Sequence, residues 1–198
     1  MNAKITHKFS DRSILSANFY SGNDVFKYMT DDASQYLVNG IEEDRREVLD
    51  INLGWGNMVG SLNWNYEIDG KISMANKLYY SGSFSGFGYK EENTINESYD
   101  MAGINYNNRV HTIGLKSDFF HSFNSVHRLR YGATAQLHYY RPSYISQVEE
   151  RDGKESFKYN PQIDSLKYNT VEASIYGEDE IAITDAFSVN AGLRYTLY

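Results

Sequence analysis

The chain has 198 residues, a formal net charge of −7 and no cysteine, which excludes disulfides and thiol chemistry. No basic stripe runs along it, so nucleic acid is excluded as a partner. Mean hydropathy is −0.58, and no apolar run approaches the roughly 20 residues of a spanning helix; a transmembrane β-barrel stays open, because there only alternate residues need be apolar.

The opening stretch, MNAKITHKFS, has no apolar core and no cleavage site and does not read as a signal peptide. It reads as the start of a cytoplasmic protein, or of a mature or internal piece of a larger one. Residues 2–9 alternate, with Ala3, Ile5, His7 and Phe9 against Lys4, Thr6 and Lys8. A period of two predicts a strand. Ser10-Asp11-Arg12 turns the chain into a second strand over 13–21, with Leu15, Ala17 and Phe19 on its apolar side. Arg46–Trp55 also alternates and reads as the outer end of the third strand, kinked at Gly54 and Gly56; a separate strand is the alternative. Residues 58–68 place Met58, Leu62, Trp64 and Tyr66 on one face, and Asp69-Gly70 signals a hairpin.

Residues 72–81 follow, with Ile72, Met74, Leu78 and Tyr80 on an apolar face that Asn76 interrupts. Residues 111–120 carry Ile113, Leu115 and Phe119, and 128–140 carry Leu129, Tyr131, Ala133, Ala135, Leu137 and Tyr139. Residues 171–183 repeat the pattern with Val171, Ala173, Ile175, Ile181 and Ile183, broken by Asp179. After Thr184-Asp185 comes FSVNAGLRYTLY, whose odd positions from Phe187 to Leu197 are all apolar. The sum is about eight antiparallel strands in four hairpins. Connections near 10–12, 69–71, 121–126 and 184–186 are short; those near 22–46, 85–108 and 141–167 are long and polar. Short turns at one end and long loops at the other describe an outer-membrane barrel.

The second face of every strand is polar. Lys77, Lys116, Asp118, Arg130, Glu172, Glu178, Glu180 and Arg194 lie on it and suit a water-filled lumen; the wet side of a soluble sheet is the competing explanation. Glu178 and Glu180 are expected to pair with a cation such as Arg130 or Arg194. Aromatic residues at or beyond the outer strand ends, Tyr79, Tyr89, Tyr99, Tyr140, Tyr144, Tyr159 and Tyr168, could stack on a ligand or form an interface girdle. Trp64, Tyr66 and Phe119 fit the girdle at the short-turn end. The five histidines are scattered without zinc spacing. The acidic runs 42–44 and 149–152 lack calcium-loop spacing. SGSFSGFGY (81–89) lacks the strand-to-helix context of a phosphate loop. The chain is not expected to be an enzyme, nor to carry a cofactor or metal.

YGEDEIAITDAFSVNAGLRYTLY (176–198), with its Gly192-Leu193-Arg194-Tyr195, resembles a hairpin of TonB-dependent outer-membrane receptors. GWGNMVGSLNWNYEIDGKISMANKLYYS (54–81) is similar to a stretch common in Bacteroidetes-type members, and 4–26 fits the same hairpin style. The resemblance implies about eight strands of a barrel of about 22, with the plug domain absent. It also implies import of a scarce nutrient of the siderophore, haem, cobalamin or glycan class. The implied partners are outer-membrane lipid, a small-molecule or oligosaccharide substrate, and the TonB complex acting through the absent plug. Two alternatives remain: a complete eight-stranded outer-membrane barrel, and a soluble β-sheet protein that binds a small molecule. On either barrel reading, Leu193→Arg is expected to cost about 2–4 kcal/mol if that site sits near the bilayer midplane.

Overall fold

The computed structural model describes residues 1–152, 154–159 and 167–198, with side chains omitted over 142–146. Among them, strands β1 (Asn2–Ser10), β2 (Ser13–Val38), β3 (Ile41–Glu67), β4 (Ile72–Ile95), β5 (Ser98–Ser122), β6 (His127–Arg151), β7 (Lys154–Tyr159), β8 (Tyr168–Thr184) and β9 (Phe187–Leu197) form one sheet. Its order is β1-β2-β3-β4-β5-β6-β8-β9, with β7 hydrogen-bonded to β6 outside that path. Every pairing is antiparallel. The sheet is open, because β1 pairs with β2 alone and β9 with β8 alone.

This corrects the expected loops. Residues 22–38 and 41–57 continue β2 and β3 as one ladder, which closes at Val38↔Ile41. Residues 85–95 and 98–108 do the same for β4 and β5, and β6 runs on to Arg151. Among the described residues there are nine strands, in line with the expected count of about eight, and the β2–β3 and β4–β5 tips are two-residue turns rather than long loops; the third expected loop, 141–167, lies partly outside the described residues. Asn39 (φ 54°) and Gly40 (φ 83°) both lie in the left-handed region, the requirement of a type I′ hairpin. Nor is β3 bulged at Gly54 or Gly56; its register with both neighbours is unbroken there. β2 has 26 residues, about 85 Å at ~3.3 Å per residue, whereas crossing a bilayer takes roughly 9–11.

Side chains close the four turns at the other end. Asp69 Oδ1 accepts from the amides of Lys71 and Ile72, both 2.8 Å, and these donors hold its carboxyl below the usual carboxylate range. Asn124 Oδ1 accepts from the amides of Val126 and His127, again at 2.8 Å. Ser10 and Thr184 hydroxyls accept from Arg12 and Ala186 at 3.3 Å. Each is a short polar side chain standing in for a backbone turn.

There is no enclosed core: among the described residues, no hydrophobic side chain is buried. Instead the register stacks the apolar positions into rows on one face. One row runs Ala17, Leu62, Leu78, Leu115, Ala135, Ala173 across six strands. Leu115 is 55% exposed. On the opposite face Asp118 is 7% and Ser174 4% exposed, so the polar face is the enclosed one. The two polar interruptions of the apolar face are partnered across strands. Ser117 Oγ donates to Asn76 Oδ1 at 2.6 Å, and His127 Nδ1 lies 2.7 Å from Asp179 Oδ2.

Candidate functional site: the two faces of the wall

The apolar face is bounded by aromatic rows. Near the Asx turns, Trp64 packs on Tyr66 with centroids 5.7 Å apart, and Phe119 stacks on Tyr131 at 5.4 Å; Trp64 Nε1 donates to Ser13 Oγ at 3.0 Å. Further up the strands, Tyr80 Oη and His111 Nδ1 are 2.7 Å apart. Leu115 sits midway between Phe119 and His111 on β5. Leu193 pairs with Gly177, which pairs with Tyr131, so Leu193 belongs to the level of an aromatic row and Leu115 marks the middle of the band.

Behind this band the polar face is knitted by charge. Asp118 receives Lys116 at 3.0 Å and Arg130 at 3.4 Å, and the Tyr176 hydroxyl donates to it. Arg130 also reaches Glu178 at 3.4 Å, while Glu180 takes Arg128 at 3.4 Å. Arg194 turns elsewhere: its Nη2 donates to Ser174 Oγ at 2.8 Å, and its guanidinium lies 5.8 Å from the centre of the Tyr176 ring. Lys77 lies 5.7 Å from the Tyr79 ring centre. The predicted polar-face residues thus share one surface, and four of them, Lys116, Asp118, Arg130 and Glu178, form one ion cluster.

A glycine makes the cluster possible. Gly132 sits between Tyr176 and Asp118 in the register. A Cβ there would lie 2.7 Å from Tyr176 Oη, so only a bare backbone lets the ring reach across. Gly114 does the same for Tyr79. That placement corrects Tyr79, expected at an outer strand end. It lies mid-β4, paired with Ser61 and Gly114, because β4 continues to Ile95.

Beyond the band the polarity of the faces inverts. The polar face of β3 carries Asn65, Asn63 and Ser61 low down, then Trp55, Leu53, Ile51 and Leu49. The register brings Phe26, Leu53, Phe87 and Tyr106 into one row and Tyr28, Ile51, Tyr89 and Ile104 into the next. Phe26 is 51% and Trp55 50% exposed, so the rings are open to a ligand. On the other face of the extensions stand charges. Arg46 grips Asp31 by two bonds of 2.7 and 2.6 Å, which hold the Asp31 carboxyl below its ordinary range. Lys90 meets Glu92 at 2.5 Å, and Tyr99 Oη donates to Glu92 at 2.8 Å. Burial and then that bond push the Tyr99 phenol up to about 12. On the inner face itself, Tyr89 donates to Glu91, which lowers the Glu91 carboxyl.

The other aromatic candidates are dispersed. Tyr140 stacks on Tyr168 at 5.1 Å, Tyr159 lies on β7 and is 50% exposed, and the Tyr144 side chain lies outside the described residues. The inner apolar wall is what the sequence reading missed. Its signal is the change of phase between Leu49–Trp55 and Met58–Tyr66.

An open antiparallel sheet with an aromatic-bounded apolar band on one face and an ion-paired opposite face is the wall of a transmembrane β-barrel. The family model "TonB dependent receptor-like, beta-barrel" matches residues 5–198. The chain belongs to that family. No curated protein matches it in sequence. Among solved structures it is similar to the Pseudomonas putida toluene transporter TodX. That likeness has 9% identity, 99% of this chain and 67% of that chain covered, and a TM-score of 0.26, too slight to bear on function.

Proposed function

We infer that the chain is a section of the wall of an outer-membrane importer. The importer draws a scarce nutrient into its lumen with energy passed through TonB to a plug. The observation that carries this reading is the inversion of polarity. Apolar residues face away from the lumen over the bilayer-crossing part and toward it above. A soluble sheet has no use for an apolar band on its most exposed face, and a closed eight-stranded barrel would not leave β1 and β9 as free edges. The Asx-turn end lies in the periplasm and the strand extensions stand outside the cell, in line with the short-turn, long-extension asymmetry of such barrels.

Phe26, Tyr28, Leu53, Trp55, Phe87 and Tyr106 then line the outer vestibule. Rings on a rigid sheet stack on a ligand at little entropic cost. A siderophore, haem, cobalamin or glycan offers such flat or apolar surfaces. The polar lumen below, with Lys116, Asp118 and Arg130, passes a hydrated substrate onward. The test is uptake from single limiting sources of iron, cobalamin or glycan, in cells whose full-length receptor carries Leu53→Asp and Phe87→Asp. Uptake falls to the level of cells lacking the protein while its amount in the outer membrane is unchanged. Wild-type uptake by this variant would contradict the reading.

A further inference from the structure

The surface that faces away from the lumen carries a feature that import does not use. Arg109 on β5 and Arg141 on β6 are direct cross-strand partners. Both follow the phase of Ile113, His111, Leu137 and Tyr139, so both point outward, just beyond the Tyr80–His111 row. Like charges directly opposite each other destabilise a pair of strands. Among the described residues no carboxylate pairs with either guanidinium, and Arg141 Nη1 donates only to the Tyr140 carbonyl at 3.0 Å. Among the described residues their outward neighbours in the register are Gly82, Phe84, Gly86, Asn107, His111 and Tyr139, none of them a carboxylate. A bulge between Asn107 and Arg109 interrupts the ladder at this point, as bulges do where a side chain is re-aimed. Arg109 and His111 also border a shallow groove of about 430 Å³ together with Met58, Tyr80 and Phe84, cationic at its upper end and apolar below.

We propose that Arg109 and Arg141 together clamp the phosphorylated headgroup of an outer-leaflet lipid, whose acyl chain runs down past Tyr80 and Met58. The inference rests on the membrane-spanning reading above, which puts this pair at headgroup level. Charge complementarity selects the occupant: two guanidinium forks take a phosphate bidentately, and the strip beneath them is apolar. The bound anion removes the repulsion that the bare pair suffers.

The test uses the full-length protein in phosphatidylcholine nanodiscs doped with bisphosphorylated lipid A, then released in mild detergent for native mass spectrometry. The protein retains lipid A, and Arg109→Gln/Arg141→Gln lowers the retained fraction roughly thirtyfold, about fivefold per basic group at a headgroup layer. Lys116→Gln, on the lumen side, leaves retention unchanged. Equal retention of dephosphorylated lipid A would overturn the proposal. So would loss of retention on adding excess inorganic phosphate, which would mark a site for the free anion. Insertion without retention overturns the clamp alone; failure to insert overturns the spanning reading and the clamp with it.

Discussion

Leu115→Arg probes the apolar band at its centre. Phe119 lies four residues to one side and His111 four to the other, about 26 Å of strand at ~3.3 Å per residue. With the strand tilted by about 40°, that spans about 20 Å along the bilayer normal, close to the apolar height of such barrels. Leu115 is 55% exposed, and its cross-strand neighbours Leu78 and Ala135 offer no counter-charge. An arginine there must be desolvated by lipid, at a cost of about 2–4 kcal/mol at the midplane. Val25 is the control: it is 58% exposed and shares the outward face, but stands on the extension beyond the aromatic row, where the same change costs about 0–1 kcal/mol. The assay is reversible denaturant unfolding of the protein in lipid vesicles, followed by fluorescence of Trp55 and Trp64. Equal costs at the two positions would refute the assignment of this face to lipid.

Gly132→Val forces Tyr176 off Asp118 and destabilises the folded protein by about 1–3 kcal/mol, whereas Tyr176→Phe, which keeps the ring and loses one hydrogen bond, costs less; the same unfolding assay ranks them. Asn76→Leu alone strands the Ser117 hydroxyl in lipid and destabilises, while Asn76→Leu/Ser117→Ala recovers most or all of the loss. The Tyr99 phenol titrates near 12, read by tyrosine ring-carbon NMR. Its folded value is raised, so its contribution to stability is present below about 10 and is lost as pH rises through about 12. Glu92→Gln lowers that value only part of the way, because burial is the larger cause. The Glu92 carboxyl is depressed, by Lys90 first and then Tyr99; its contribution is present above the ordinary glutamate range and is lost as pH falls through the depressed value.

Alternation made the bilayer-crossing half of the fold legible. Phe187–Leu197 and Leu129–Tyr139 need one apolar face, and no other regular structure supplies it. The four Asx and Ser/Thr turns were legible for the same local reason. The extensions were not. Stretches such as Asp31–Gln35 and Glu91–Asn93 are rich in residues that disfavour strands; pairing with distant partners, Asp31↔Val48 and Asn93↔Glu47, holds them extended. Yet Asn39-Gly40 is a hairpin signal that places the tip of β2–β3 from sequence alone. The inner wall stayed hidden because it spans four strands. Leu49–Trp55 shows its change of phase, but only the register joins it to Phe26, Phe87 and Tyr106. Tyr79 falls mid-strand for the same reason: β4 continues to Ile95, well past the end that its alternation predicts.

The claim on which everything else depends is that the lipid-facing side of the wall is apolar in the membrane and its lumen-facing side apolar above. The absence of cysteine allows a direct test by spin-labelling single cysteines placed at Leu115 and Leu53 in the reconstituted full-length protein. The account predicts that the label at 115 collides with oxygen and is shielded from a water-soluble nickel chelate, while the label at 53 is reached by the chelate. Ready access of the chelate to 115, or a lipid-like response at 53, would contradict it.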